Sequence, residues 1–428
     1  MNEGKVVVGI DVGTYKIVTV IAKVDEVVNV LGVSEVKSLG IRKGQIVDIE
    51  EAVSAINNSI ESAERMAGYS VSHVVASIGG SQIESLNSRG VVAVSNPNGE
   101  INDGDLTRVI DAAKAVSLPS TREIIHVLPR NYIVDGQEGI KDPIGMTGVR
   151  LEVDTHIITA NSITVRNLEK AFSEVGVDVD SFVFNGYGSS LSVLSDTEKE
   201  LGVILVDIGA GTTDISIYTE GSVAYSSVLA IGARHITNDL AIGLRISLES
   251  AEKIKLYLSR EPQRKIVKPD EEGEEKTEKK APDEVDLTHL NLPEELRKVS
   301  QKTLVDGIIR PRLNEIFTMV GLEIKKSGFG GQTPAGLVVT GGGALTVGVK
   351  DAAKRMLAMP VRAGLPTNMK GIIDEIQNPA YATVIGLAMY GSTASTGKSS
   401  AFSFNMSRLP GGGKILKRVI EIIKSFIP

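Results

Sequence analysis

Apolar positions in this chain bunch into short runs that end on the same kind of turn. Val6-Val7-Val8-Gly9-Ile10 runs into Asp11-Val12-Gly13-Thr14-Tyr15-Lys16 and leaves through Ile17-Val18-Thr19-Val20-Ile21. Val203-Ile204-Leu205-Val206 runs into Asp207-Ile208-Gly209-Ala210-Gly211-Thr212-Thr213-Asp214 and leaves through Ile215-Ser216-Ile217-Tyr218. Apolar runs on either side of a glycine turn predict two β-hairpins, each with a carboxylate near the end of its first strand. The segments downstream of the two hairpins repeat as well. A third strand over 27–33 and an amphipathic helix over 50–66 come after the first; a third strand over 222–229 and a helix from Ala233 come after the second. The pattern predicts an α/β chain with an internally duplicated β-β-β-α unit.

One such turn is an ordinary hairpin turn. A matched pair suggests chemistry, because glycine lets backbone N–H groups approach an anion closely. A carboxylate beside a phosphate nest suits hydrated Mg²⁺, which takes one or two carboxylates plus phosphate oxygens. Two facing copies would clamp a nucleotide tail. A third cluster comes next in chain order: the short strand Leu337-Val338-Val339-Thr340 ends in Gly341-Gly342-Gly343, ahead of a helix predicted over 349–359. Bare backbone near a helix N-terminus suits a flat adenosine.

The three loops in this order resemble the actin, Hsp70 and sugar-kinase superfamily of ATP-binding proteins. Within it the chain is similar to the FtsA family of bacterial cell-division proteins over nearly its whole length. Pro360-Val361-Arg362, Asn378-Pro379-Ala380-Tyr381-Ala382-Thr383 with Gly386-Leu387, and Gly186-Tyr187-Gly188-Ser189-Ser190 add to the resemblance. It implies duplicated actin-like (ribonuclease-H-like) domains, an inserted α+β subdomain and a C-terminal amphipathic helix. By the same resemblance Asp11, Gly13, Thr14, Tyr15 and Lys16 form one phosphate loop, and Gly209, Ala210, Gly211, Thr212 and Thr213 the other. Asp11 and Asp207 would hold Mg²⁺ through water, and Gly341, Gly342 and Gly343 would back the adenosine of ATP. Glu252 and Lys255 fall where the superfamily meets purine and ribose; an ordinary surface i,i+3 pair is the competing reading. Arg312 and Glu315 match the charged positions that take the C-terminal peptide of FtsZ; a solvated ion pair is the competing reading.

Three positions depart from the common pattern. Tyr15 is bulky where relatives carry a small hydroxyl residue, and Ala210 replaces a glycine, a mild change if its φ is negative. Asn185 stands where hydrolytic relatives place a water-activating Glu or Gln. An amide can orient a water but cannot take its proton, which predicts slow hydrolysis at most.

The implied organisation is 1–80 with 162–197 (subdomain IA), 81–161 (the insertion, IC), 198–233 with 328–391 (IIA) and 234–327 (IIB). The insertion is expected to carry strands over 91–94, 123–133 and 151–160 around a helix over 105–116, and a helix or two is expected over 293–326. A charged, nearly apolar-free loop over 268–286 is expected to be flexible. A Ser/Thr/Gly-rich linker over 392–413 is expected to be disordered. It contains a Walker-like Gly391–Ser399 string with one residue too many between its glycines. The tail at 414–428 sorts cleanly at 100° per residue. Ile415, Leu416, Val419, Ile420, Ile422, Ile423, Phe426 and Ile427 share one face, with Lys414, Lys417, Arg418 and Lys424 on the other. Cations opposite an apolar face fit anionic lipid, at about 1 kcal/mol per Lys or Arg near the surface.

Composition narrows the choice. A net charge of −7 and 4% aromatic residues argue against a nucleic-acid partner. Absent cysteine excludes disulfides and thiolate metal sites. No leader pattern and no transmembrane-length apolar run is read, which predicts a cytosolic protein, placed by the resemblance on the cytoplasmic face of the cell membrane at the septum. The resemblance further implies self-association into filaments and contact of the insertion with later division proteins. Two alternatives stay open: a cytosolic adaptor of the PilM family, which has no use for such a tail, and a small-molecule kinase, for which no acceptor-side base is found.

Overall fold

The computed structural model describes residues 4–394 apart from 97, 261–282, 295 and 372–375. The predicted membrane helix over 414–428, most of the linker and most of the acidic loop lie outside the described residues.

Two sheets carry the same topology. In the first, the hairpin strands Lys5–Val12 and Lys16–Val24 are flanked by Val28–Lys37 on one side. His73–Ile78 and Asp178–Phe184 continue it on the other side, in parallel with Lys5–Val12. The second sheet repeats this with Val203–Ile208, Thr213–Thr219 and Ser222–Leu229, then Leu337–Thr340 and Val361–Ala363 in parallel. A short strand, Met369–Gly371, crosses over to pair with Val28–Lys37 of the first sheet. The duplication read from the hairpins therefore extends to strands distant in sequence. Amphipathic helices close each sheet: Ile49–Ala67, whose Ala52, Ile56 and Ile60 are buried, covers the first, and Ala233–Leu244 lies in the core of the second. Burying an isoleucine such as Ile56 or Ile60 contributes about 1.5–3 kcal/mol.

Two helices cross between the sheets. Asn185–Val193 and Ala382–Ala394 meet at Gly188 and Gly386, where an added Cβ on Gly386 would lie 1.8 Å from the Gly188 carbonyl oxygen. Only glycine lets the backbones approach so closely. The Ser192 hydroxyl donates to the Ala382 carbonyl across the crossing at 2.6 Å.

The inserted sheet orders Glu84–Ala93, Arg150–Asn161, Arg122–Val134 and Gln137–Ile140, with the helix Asp103–Lys114 packed on it. Its edge strand faces the second lobe. Ser85 Oγ donates to the Ser226 carbonyl at 2.7 Å, and Asn87 Nδ2 to the Ala224 carbonyl at 3.1 Å. His156 bridges Asn87 (2.7 Å) and Ser226 (3.0 Å) behind them. Burial holds His156 and His126 down to about 3, so both are neutral structural groups.

Three expectations are corrected. The inserted edge strand begins at Glu84, well ahead of 91, because it pairs with Arg150 through Thr159 of the neighbouring strand. The stretch after Pro293 is not helical at first: Lys298–Ser300 pairs with Glu284–Asp286, the end of the loop expected to be flexible. Ser300 Oγ then accepts from the Thr303 N–H at 3.1 Å and starts the helical run, as a π-helical segment Thr303–Ile309 continued by Arg310–Ser327. Finally, Ser392–Ala394, read as linker, ends the last helix. The Ser392 and Thr393 hydroxyls donate to carbonyls three residues back and so stay in the helix. The Walker-like string thus begins inside a helix, the reverse of the strand-then-loop order a phosphate loop needs.

Candidate functional site

The two hairpin turns face each other. Each closes on glycine, with Gly13 N–H donating to the Lys16 carbonyl at 3.1 Å and Gly209 N–H to that of Thr212 at 2.9 Å. A Cβ on Gly211 would lie 3.0–3.3 Å from the side chain of Thr14, so the loops meet across the gap between the lobes. Ala210 is absent from the positive-φ residues, which removes the doubt about its side chain. The helix Ala233–Leu244 starts on the second loop: Ala233 and Arg234 N–H groups donate to the Gly209 and Ala210 carbonyls at 2.9 Å.

The carboxylates converge beneath the loops. Asp11 accepts from Ser77 Oγ at 2.8 Å. Asp207 accepts from Ser189 Oγ and, at 3.1 Å, from Thr383 Oγ1, one from each crossing helix. Asp214 pairs with Asp207 across the second hairpin and is 2% exposed, and its Oδ1 has no hydrogen-bond partner. Burial pushes Asp207 up to about 6, with Asp11 adding to the rise. Asp11 is raised by burial too, against the pull of Ser77 and Lys16. Asp214 is raised well above the carboxylate range by burial and then by Asp207 and Asp11. Asp214 is the residue missed in the sequence. The signal was present: a hairpin closing between Gly209 and Thr212 puts 207 opposite 214, on the same face.

Crowded, desolvated carboxylates would welcome a cation. Among the described residues no three acidic or histidine side chains are arranged to hold a metal directly. The donor set fits an ion met through water by one or two carboxylates, as hydrated Mg²⁺ prefers.

The third loop closes the floor. Gly341 has φ +80°, and a Cβ there would fall 2.1 Å from Asp207 Oδ1, so the close approach requires glycine. Gly342 and Gly343 continue into a short 3₁₀ turn, with Gly343 against Ile208. Asn185 begins the first crossing helix, its amide against Gly79 and its buried Oδ1 without a partner.

Two predicted contacts look different in space. Lys16 is not free: its ammonium is 2.7 Å from Glu35 and 4.2 Å above the centre of the Tyr381 ring, while Tyr381 Oη donates to Glu35 at 2.8 Å. Glu252 and Lys255 are not a surface pair. Lys255 is buried and donates to Glu252 at 2.7 Å and to Thr237 at 3.0 Å. Tyr15 is 46% exposed, and Glu252 and Glu35 help raise its phenol after burial, which places it between the lobes.

Arg312 and Glu315 lie apart from this site. Arg312 makes a bidentate pair with Asp239 at 2.6 and 2.9 Å and also meets Glu315. These three, with Gly307, Ile308 and Pro311, line a pocket of about 270 Å³. Ile242, 77% exposed, lies one turn from Asp239 on the same helix.

Comparison with known proteins settles the lineage. The model of the SHS2 domain inserted in FtsA matches residues 80–159, and that of cell division protein FtsA matches 204–386. The cell division protein FtsA of Pseudomonas aeruginosa is 39% identical over 91% of this chain and 90% of its own. The chain belongs to the FtsA family. Solved structures share the fold at lower identity. The PilM–PilN type IV pilus biogenesis complex matches with a TM-score of 0.62 at 14% identity, over 90% of this chain and 98% of that one. MreB5 of Spiroplasma citri bound to ADP matches at 0.51 and 14%, over 91% and 97%. These establish the actin-like fold of this FtsA relative. The FtsA match at 39% identity decides against the PilM adaptor as its family. Among the described residues no helix is long and apolar enough to cross a membrane.

Proposed function

We propose that this cell-division protein binds Mg²⁺–ATP between its two glycine loops and links FtsZ filaments to the cytoplasmic membrane. The reading rests chiefly on the facing loops, with Asp11 and Asp207 below and Gly211 packed on Thr14. Backbone N–H groups of both loops would hold the phosphates. Asp11 and Asp207 would hold Mg²⁺ through water, and its charge would neutralise both phosphate and carboxylate oxygens. Gly341, Gly342 and Gly343 would back the adenosine, with the Glu252–Lys255 pair as the polar edge near the base. Asn185 cannot deprotonate a water and is one methylene shorter than the Glu or Gln of hydrolytic relatives, so hydrolysis is slow at most and the nucleotide acts as a conformational and polymerisation ligand through unequal affinity for two states.

The pocket at Arg312, Glu315 and Asp239 suits a short peptide carrying both apolar and charged groups, here the C-terminal peptide of FtsZ. Exposed Ile242 beside it and the π-helical segment at its rim favour that use, since such segments often sit at functional sites. The tail at 414–428 supplies the membrane contact on sequence grounds alone.

Sedimentation with anionic liposomes, with and without Mg²⁺–ATP, tests the reading on the intact chain and on one ending at Gly411. Pelleting that ATP enhances and truncation abolishes is expected. Equal pelleting of both forms, or none, would remove the tether.

A further inference from the structure

A small hairpin that plays no part so far leans on the first phosphate loop. Ile41–Arg42 pairs with Gln45–Ile46, and the turn between them, Lys43-Gly44, has both φ angles positive, +49° and +75°. That is the tight two-residue turn whose twist matches a hairpin. The tip is wedged in place. Gly44 N–H donates to Thr14 Oγ1 at 3.2 Å, and a Cβ on Gly44 would lie 2.8 Å from the backbone of Gly80. Gln82 fastens the same wall, donating to the Gly79 carbonyl at 2.7 Å and accepting from Gln45 at 3.4 Å. Thr14 is thus held between the hairpin tip and Gly211 of the second loop.

Charge gives this placement a use. Lys16 is already compensated by Glu35. Arg42 and Lys43 are exposed, and neither forms an ion pair among the described residues. The tip also stands on Gly79–Gly80, where Asn185 packs, whereas Gly341, Gly342 and Gly343 lie on the other lobe with Asp207. The hairpin therefore belongs to the end of the cleft away from the adenosine floor.

We infer that the Ile41–Ile46 hairpin is a third phosphate-facing element, which makes the site prefer a nucleoside triphosphate to the diphosphate through Arg42 and Lys43. The inference rests on the nucleotide reading above. A triphosphate carries an extra negative charge at its far end, and cations not already paired, one on the strand end and one on the turn, favour it.

Isothermal titration with Mg²⁺–ATP and Mg²⁺–ADP tests it on the full chain, comparing the wild type with R42Q/K43Q and with Gly44→Ala. The charge variant is expected to bind ATP about 10-fold more weakly, about 1.4 kcal/mol, with ADP affinity within about twofold. Gly44→Ala, which unseats the tip while keeping both cations, is expected to lose the same discrimination, its folding checked by circular dichroism. Equal losses for both nucleotides, or no loss for either, would overturn the assignment. Failure of the wild type to bind either nucleotide would instead overturn the underlying site, an outcome visible before any variant is made.

Discussion

Replacing Asp207 with Asn should make the free protein more stable while destroying its response to Mg²⁺–nucleotide. Asp207 titrates near 6 in the folded state against 3.8 ordinarily, because it is buried and faces Asp11. A raised carboxyl pKa means the folded state holds a proton that the unfolded chain releases. Stability therefore falls as pH rises from about 4 to about 6 and stays low above that. At about 1.4 kcal/mol per pH unit, the ionised form costs about 3 kcal/mol at neutral pH. Asn is nearly isosteric, and Ser189 and Thr383 can rotate their hydroxyls to suit it. Allowing about 1 kcal/mol for imperfect amide pairing, a net gain of about 1–2 kcal/mol remains. Urea unfolding at pH 7.5 and pH 4 measures it: the variant should lead at pH 7.5, and the lead should vanish at pH 4. Ligand at 100 times its Kd should then stabilise the wild type by about 2.7 kcal/mol and the variant hardly at all. A variant less stable than wild type at pH 7.5 would refute the reasoning, since Asp207 would then be a satisfied structural carboxylate.

Three further outcomes are expected. Arg362 donates to Glu198 at 2.5 and 2.7 Å and to the Val193 carbonyl at 2.8 Å, and that pairing brings Glu198 down to about 2 from 4.5. With both side chains partly exposed, Arg362→Met should cost about 1–2 kcal/mol after screening. The stabilisation is whole above pH 4.5 and fades as pH falls toward 2, so the two urea midpoints should converge in acid; a pH-independent gap would assign the loss to packing. Gly386→Ala should destabilise by about 3 kcal/mol or more, its methyl meeting the Gly188 carbonyl, and a normal melting temperature would show that the helix crossing can open. Asn185→Glu should raise phosphate release from ATP at least about 10-fold by supplying a base, and retained binding with no rise would remove position 185 from the hydrolytic site.

Local features were legible in the sequence because their interactions are local. A carboxylate, a glycine turn and two apolar strands declare a hairpin within a dozen residues, and both loops fall where their residues put them. Side-chain partners far along the chain left no such trace. Glu35 and Tyr381 claim Lys16 across 346 positions between themselves, and Thr237 turns the Glu252–Lys255 pair into a buried network. The strand pair Glu284–Asp286 with Lys298–Ser300 was obscured because three-residue strands carry too little periodicity to compete with a helical reading. Asp214 was overlooked for another reason: its neighbour Thr213 ended the phosphate motif, and only the pairing register joins it to Asp207.

The seam between the inserted sheet and the second lobe bears on the order of synthesis. Ser85 is made 141 residues ahead of Ser226, the carbonyl it caps. Chains emerge N-terminus first and domains fold as units, so the inserted sheet is available while Ser222–Leu229 is still leaving the ribosome. An edge strand with bare carbonyls invites pairing with a neighbouring nascent chain. Here its hydroxyl and amide partners are waiting when it arrives. By occupying those carbonyls, the insertion leaves fewer of the groups through which an unfinished copy on the same polysome could pair with this edge.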